Sequence, residues 1–458
     1  MARSARNGEQ EAAVVDDRDA IEGQAFRRQQ MVLAFTRGSR QAGEALLRRP
    51  NRPLAAGLAV ALVACLVVGV RTLLTHGPPK DWNVEGTLVV DRDEGGRYVV
   101  AGGVLRPLRN LTSLRLLQGG PPSRSVQVGH ALVAGQPVGQ PLGIPGAPDE
   151  PPGLLPGTSP WAACQGGGDR LDLLVGLPAP VGQAAPGAPG GILARAAGGQ
   201  QVFLVAGRGA YRIGSQAALA RLGYTVDQVR TVPRRWLDLL PRVATLDLLA
   251  LPGDGGGPAA PAAPFMADGT VVVEQPSGVQ YLAGGGALHR VLNRTSLLLL
   301  GRPVRGPTPA GRAAVVAQPQ GEPFGVAAAP PSPPAVPEGA SRQYACASTT
   351  GPVRVLDRPP TAPGLVRAAP PAGARARSGG PVRVWQPAAR GVLARPADAV
   401  GKDLSPRAPA YLVADGTAYP IPEESALGAL GYADTEVRPL PRAWLAALPR
   451  GPVLAAPR

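Results

Sequence analysis

Hydrophobic positions along this chain form one long unbroken run and many short ones. Leu54–Val70 carries no charge, and after Arg71 the apolar character resumes at Leu73 and Leu74. A helix over 54–74 would rise roughly 30 Å, the thickness of a bilayer's hydrocarbon core. Beyond it, apolar residues come in strand-length stretches divided by glycine and proline, and two such patterns occur twice. Gly86–Ser113 returns as Gly269–Ser296, keeping Tyr98/Tyr281 and Asn110/Asn293 at one constant offset. Phe203–Arg242 returns as Tyr411–Arg450, keeping Tyr211/Tyr419, Gly223/Gly431 and Trp236/Trp444. With the units named A and B, the order is A–B–A′–B′. Units this small cannot bury a core alone and are expected to pack on a shared one.

Unit A predicts a strand, a turn at Gly95-Gly96, a second strand with Tyr98, and a leucine-rich stretch opened by Asn110 or Thr112. In unit B, Gln201–Val205 and Ala210–Ile213 flank Gly207-Arg208-Gly209, a hairpin pattern. Ser215 can cap a helix that stops at Gly223, and Pro233 opens another carrying Trp236, Leu237 and Leu240 on one face, closed by Pro241. B′ repeats these devices with Asp415-Gly416, Glu424-Ser425, Gly431, Pro441, Trp444 and Pro449. The repeats are expected at 84–118, 200–242, 268–301 and 410–452, with a common core from segments 119–199 and 302–409. Candidate core strands are Leu173–Val175, Ile192–Ala194, Val353–Leu356 and Val382–Trp385. Ala184–Gly191, Gly253–Pro264, Ala327–Pro337 and Arg358–Gly380 lack periodicity and read as loops. The fold class expected is α+β: one membrane helix, then hairpin-plus-helix repeats around a β-rich core.

Arginine placement orients the apolar run. Arg48, Arg49 and Arg52 crowd its entrance, whereas Arg71 and Lys80 beyond it are accompanied by Asp81 and Glu85. The positive-inside rule puts 1–53 in the cytoplasm and 75–458 outside. A cleaved signal peptide fits poorly, since its n-region would span 53 residues. Leu62-Val63-Ala64-Cys65 matches a lipoprotein box, but the apolar run continues past Cys65 through Val70. Within the tail, Met1–Asp19 is polar, and Ala20–Leu47 sets Phe26, Met31, Leu33 and Phe35 among arginines, the pattern of a basic helix at a membrane surface.

Outside the apolar run only Cys164 and Cys346 remain, an even pair in a compartment that permits disulfides. A bridge would close a loop of roughly 180 residues, worth about 5 kcal/mol in the chain-entropy model. The alternative is two free thiols. The net charge is +15, and all but Lys80 and Lys402 of the 47 basic residues are arginine. Aromatics make up only 4% and no nucleic-acid recognition motif occurs, which argues against a nucleic-acid partner. Attraction to anionic headgroups or acidic wall polymers remains open.

Catalytic and cofactor chemistry leaves no trace in motif form. There is no GxxxxGK[ST] loop, and the clusters Gly166–Gly168 and Gly284–Gly286 lack the lysine and hydroxyl residue a phosphate site needs. His76, His130 and His289 look isolated, without zinc-ligand spacing, and His289 reads as a surface position. No GxSxG elbow or Cys–His pairing is present. No catalytic, cofactor or metal residue is therefore assigned.

Several pieces, in order, resemble EccB, the single-pass membrane component of actinobacterial type VII (ESX) secretion systems. They are the tail motif Gly23-Gln24-Ala25-Phe26-Arg27-Arg28, the basic helix and span, and the elements Leu105–Ser113 and Leu288–Ser296. Gly143-Ile144-Pro145-Gly146-Ala147-Pro148 and the Trp161-x-x-Cys164 segment with its partner around Cys346 complete the set. The chain departs from the family's tail pattern at Gln24-Ala25. The resemblance implies an elongated periplasmic domain stapled by Cys164–Cys346, with four small repeats in quasi-two-fold arrangement. It also implies an inner-membrane location, self-association in the periplasm, and assembly with other ESX membrane components, including an FtsK-like ATPase and a multi-span subunit.

The favoured function is a non-enzymatic scaffold supporting export of small helical proteins. The alternatives are an extracytoplasmic enzyme, nucleotide-hydrolysing or wall-modifying, and a wall-polymer binding module. ATP hydrolysis has been proposed for some members of the resembled family, but no residue here carries it over.

Overall fold

The computed structural model describes residues 22–32, 35, 51–75, 80, 82–166, 170–177, 190–253, 263–336, 343–356, 364–369, 382–398 and 408–456. Two compact units emerge, Met1–Lys80 and Asp81–Arg458.

In the first unit residues 22–32 are helical, with Phe26, Met31 and Val32 exposed. A second helix, Asn51–Thr75, starts beside Pro53, which the first turn of a helix tolerates because its N–H would be unpaired anyway. Leu58, Val60, Leu62, Val63, Leu66, Val67 and Val68 are all exposed on it, so it is apolar around its circumference. Its side chains are described over 55–71, and among the described residues no helix is long and apolar enough to cross a membrane.

The second unit is built of five sheets. In the A sheet Leu88–Asp91, Arg97–Ala101 and Val104–Pro107 form an antiparallel meander, and Ser125–Val128 adds in parallel beside the first strand. Thr270–Gln275, Gln280–Gly284, Ala287–Arg290 and Arg305–Gly311 repeat that order in A′. Helices Leu111–Gln118 and Arg294–Leu298 follow the third strands, N-capped by Asn110 and Asn293. These sheets reach beyond 118 and 301 into segments expected to form the core. Their fourth strands hide from a period-two reading. Ser125–Val128 buries only Val128, and Arg305–Gly311 contains Pro307 and Pro309 and buries only Ala310.

The B sheet is an antiparallel trio, Gly191–Ala196, Val202–Ala206 and Gly209–Ile213, flanked in parallel by Val229–Val232 and Arg242–Leu246. Ile192–Ala194 therefore pairs within the B sheet while Ile192 and Ala194 are buried in the central cluster, and Gly191 begins a strand instead of ending a loop. B′ uses Arg390–Ala397, Ala410–Ala414, Thr417–Ile421 and Arg438–Pro441, joined by Gly153–Leu154. Local signals work as expected in B: Ser215 accepts from the Ala218 N–H, and Gly223 sits at φ 83°. In B′ the helix Glu424–Leu430 has Glu423 at its N-cap and no side-chain cap, so Glu424-Ser425 does not act as one.

Between these lies a 6-stranded sheet in the order Arg354–Leu356, Tyr344–Ser348, Ala162–Gln165, Leu171–Leu174, Val382–Pro387, Leu365–Arg367. Leu365–Arg367 falls inside a stretch read as loop, because three residues are too few to show periodicity. Cys164 faces Cys346 across the second and third strands of this order, and their sulfurs are bonded at 2.06 Å, closing a separation of 182 residues. The second helices of B and B′, Arg234–Asp238 and Arg442–Ala447, bring Trp236 and Trp444 into one cluster with Trp161, Leu173 and Ala345.

Candidate functional site

The repeats dock crosswise. Leu116 of A packs with Leu412, Leu427 and Leu430 of B′. Arg115 Nη1 donates to the Leu430 carbonyl at 3.2 Å, and Tyr432 Oη to that of Pro152 at 2.8 Å. In the other half Leu299 of A′ and Ala329 beyond it join Leu204, Leu219 and Tyr224 of B, and Tyr224 Oη donates to the Pro334 carbonyl at 2.7 Å. Burial pushes both phenols upward, so they remain hydrogen-bond donors through neutral pH. Each A unit is thus held by the B unit of the opposite half, and the disulfide joins the strands between them.

The Asn-x-x-Ser element explains itself locally. Asn110 Oδ1 accepts from the Ser113 N–H at 3.0 Å, while its Nδ2 donates to the Ile144 carbonyl at 2.9 Å. Ser113 Oγ accepts from the Ile144 N–H at 2.8 Å. Asn293 and Ser296 do the same to Val326, at 2.8, 2.9 and 2.9 Å. One helix cap therefore also pins the Gly-Ile-Pro-Gly-Ala-Pro loop, whose Gly143 adopts φ 126°.

Beside the disulfide, Asp172 lies opposite Cys164 and accepts from Arg383 Nε and Nη2 at 2.6 and 2.8 Å. Trp385 Nε1 adds a third donor at 3.3 Å. This two-pronged pair joins neighbouring strands of the central sheet.

The histidines differ from expectation. His130 is not isolated: its Nδ1 is 2.7 Å from Asp91 Oδ2, and its Nε2 is 3.6 Å from Glu94 Oε1. Asp91, Glu94 and His130 are also the described cluster whose ligand atoms lie within 4.8 Å of one another. A nitrogen–oxygen separation of 2.7 Å is that of a charge-assisted hydrogen bond. His289 is half-buried rather than a plain surface position, with Nδ1 2.8 Å from the Glu322 carbonyl and Nε2 3.2 Å from that of Gly284. His76 lies outside the described residues.

The glycine clusters serve packing. A Cβ on Gly166 would strike the Tyr344 ring, and one on Gly284 would come within 2.6 Å of the Pro252 carbonyl oxygen. Gly167 and Gly168 lie outside the described residues. Two clefts stand out: one of about 230 Å³ lined by Trp161, Arg208, Thr349 and Arg438, another of about 290 Å³ lined by Phe203, Arg234 and Arg242. Both fall at or below the roughly 300–1,000 Å³ of sites that enclose drug-sized ligands. Arg438 corresponds to Arg230, which is 4% exposed; burial pushes that guanidinium down to about 10.

The chain thus combines an apolar helix with a disulfide-joined unit of small sheets whose strand orders recur. The chain matches the family model described as "Type VII secretion system ESX-1, transport TM domain B" over residues 14–273 and 259–458, and it belongs to that EccB family. It is 28% identical over 277 residues to the ESX-5 secretion system ATPase EccB5 of Mycobacterium tuberculosis, covering 57% of this chain and 54% of the relative. It is 35% identical over 114 residues to the ESX-1 secretion system ATPase EccB1 of the same species, covering 25% and 23%. The chain thus spans about half the length of the EccB5 relative it matches. Its structure is similar to a chain of the periplasmic assembly from the ESX-5 inner membrane complex, with TM-score 0.62, 25% identity, and 83% and 96% of the two chains covered. The fold is likewise that of the EccB3 dimer from the ESX-3 core complex, with TM-score 0.59, 22% identity, and 81% and 98% covered.

Proposed function

We propose that this chain is a structural component of a type VII (ESX) secretion complex in the inner membrane. In this reading residues 1–53 are cytoplasmic, 54–74 cross the bilayer, and 75–458 form the periplasmic part. The observation that carries it is the likeness to the ESX-5 periplasmic assembly, which extends over 96% of that chain. The uncharged run Leu54–Val70 within helix Asn51–Thr75 and the arginines that precede that run support the span and its orientation. The repeats, set at 84–118, 200–242, 268–301 and 410–452, are arranged with quasi-two-fold symmetry, a reading supported by their matching strand orders and crossed docking. Their partners are other ESX membrane components, among them an FtsK-like ATPase and a multi-span subunit, together with a second copy of this chain in the periplasm. The role is assembly of the complex that exports small helical proteins.

Gentle detergent extraction of the tagged protein, native sizing and mass spectrometry test this. Co-migration at megadalton size with an FtsK-like ATPase and a multi-span protein supports it. A lone monomer or dimer, stable across detergents, overturns it.

A further inference from the structure

Asp91 ends the first strand of the A sheet and has no exposed surface. Its Oδ1 accepts from the N–H groups of Asp93 and Glu94 at 2.9 and 3.2 Å, and its Oδ2 faces His130 Nδ1 at 2.7 Å. The His130 N–H donates to Asp93 Oδ2 at 2.8 Å, and Glu94 stands 3.6 Å from Nε2. A carboxylate oxygen thus lies near each ring nitrogen, an arrangement that favours the doubly protonated imidazolium. The charged groups acting on the ring are Asp91, Glu94 and Asp93.

The second half of the molecule supplies an internal comparison. Asp91 pairs with Val128 in A, and Glu274 pairs with Ala310 in A′. Gly129 and Gly311 follow, with nearly the same backbone, φ −74° and ψ 152° against φ −68° and ψ 151°. Each then opens a 5-residue helix with one buried residue, Val133 or Val315. The first residue of that helix is His130 in A and Arg312 in A′. An acid is kept at the matching pair of the first and fourth strands, and the residue two places beyond that pair's partner is histidine in A and arginine in A′.

We propose that His130 makes unit A a pH-responsive latch that unit A′, with Arg312, does not have. Protonated, it ties the turn Asp91–Glu94 to the start of helix His130–Ala134; deprotonated, it keeps at most one hydrogen bond to a carboxylate, and its ion pairing with Asp91 and Glu94 is lost. The helix leads into residues that pair with the outer strand of A, where the Leu105 N–H donates to the Pro137 carbonyl and the Gly139 N–H to that of Leu105, at 3.0 and 2.8 Å. Loosening the latch frees this covering segment in A, whereas in A′ the acid Glu274 accepts instead from Tyr281 Oη, at 3.2 Å.

The sign of the effect follows from the partners. The hydrogen bond to Asp91, then the charge of Glu94, raise His130 above its usual 6.5. The latch is therefore complete below about 6.5 and is lost as pH rises through the raised value. Asp91 is held below 3.8, first by His130, so its share is lost only as pH falls through that lowered value. Exposure of the latch to the medium outside the cell rests on the topology proposed above; the titration itself does not.

The test uses the full chain in detergent with isotope-labelled histidine, three residues in all. His130, assigned with His130→Gln, is expected to titrate above 6.5, with exchange protection of the Asp93, Glu94 and His130 amides falling several-fold from pH 6 to 8.5 after correction for intrinsic rates. His130→Arg is expected to hold that protection flat, and His130→Gln to be weakly protected already at pH 6. Titration at or below 6.5, or the same fall in His130→Arg, overturns the latch. Misassigned topology would show instead in accessibility labelling of intact cells and would leave these results unchanged.

Discussion

Trp236 donates its indole N–H to the carbonyl oxygen of Ala163, 2.8 Å away and one residue before the disulfide cysteine Cys164. The ring is fully buried, so the second helix of B and the central sheet are joined by packing and by a satisfied polar contact at one point. Trp236→Ala is expected to cost about 3–5 kcal/mol, the range for deleting a large buried side chain. Trp444, its counterpart in B′, is buried to 2% in the same cluster. Trp236→Phe should therefore cost more than Trp444→Phe, by about 1 kcal/mol for the lost hydrogen bond. Denaturant titrations of the two variants check the difference.

Much of the fold was legible because its signals are local. Ser215, Gly223, Asn110 and the turn at Gly95 each act on neighbours within a few residues, and each does so in the structure. What sequence could not show was partnership. Ile192–Ala194 reads as a strand but carries no sign of the sheet it joins. Arg305–Gly311, with two prolines, is identifiable only through its pairing to Thr270–Gln275. The Asp91–His130 contact spans 39 residues and exists because a parallel strand returns beside the first. At the offset that matches Ser113 to Ser296, His130 falls against Ala313; the one-residue shift that sets it against Arg312 comes from the pairing of the fourth strands.

The disulfide is expected to resist reduction while the protein stays folded. Cys164 has no exposed surface and Cys346 only 2%, so a thiolate cannot reach either sulfur. Native protein in dithiothreitol should remain unlabelled at both cysteines by mass spectrometry, whereas denatured protein should gain two labels. The double variant Cys164→Ala/Cys346→Ala should lose about 2–5 kcal/mol, read from its denaturation midpoint.

Ser215 Oγ accepts from the Ala218 N–H at 3.2 Å and donates to Asp247 Oδ1 at 2.6 Å. That donation, followed by the Leu248 N–H, holds Asp247 below 3.8. A lowered carboxylate stabilises the fold above its unfolded value and loses this contribution as pH falls through the folded one. Ser215→Ala should cost about 0.5–2 kcal/mol at neutral pH through the lost cap. It should also move Asp247 back towards 3.8 in an NMR titration, flattening the acid limb of the stability profile.

The two tyrosine clamps should report on crossed docking separately. Tyr432→Phe removes the donor to Pro152, and Tyr224→Phe the donor to Pro334. Each is expected to cost about 0.5–1.5 kcal/mol, or more where the carbonyl is left dry. Hydrogen exchange should quicken around Ile144–Leu154 in the first variant and around Val326–Val336 in the second. Quickening of both regions in either variant would mean that the halves yield together.

The relatives' names include an ATPase activity, and the clefts of this chain allow a direct expectation about it. The cleft at Arg438 is about 230 Å³ and offers arginines and threonine hydroxyls but no carboxylate among its lining residues, and in the cleft at Phe203 the lining carboxylate, Asp238, is already paired with Arg242 and Arg234. Phosphoryl transfer depends on positioning groups and metal-bound charge, and two guanidiniums on an open rim supply neither. Purified full chain with ATP and Mg²⁺ is therefore expected to release phosphate no faster than a mock preparation. Saturable turnover that Arg438→Ala abolishes, with the denaturation midpoint unchanged, would place an active site in this cleft and set catalysis beside assembly.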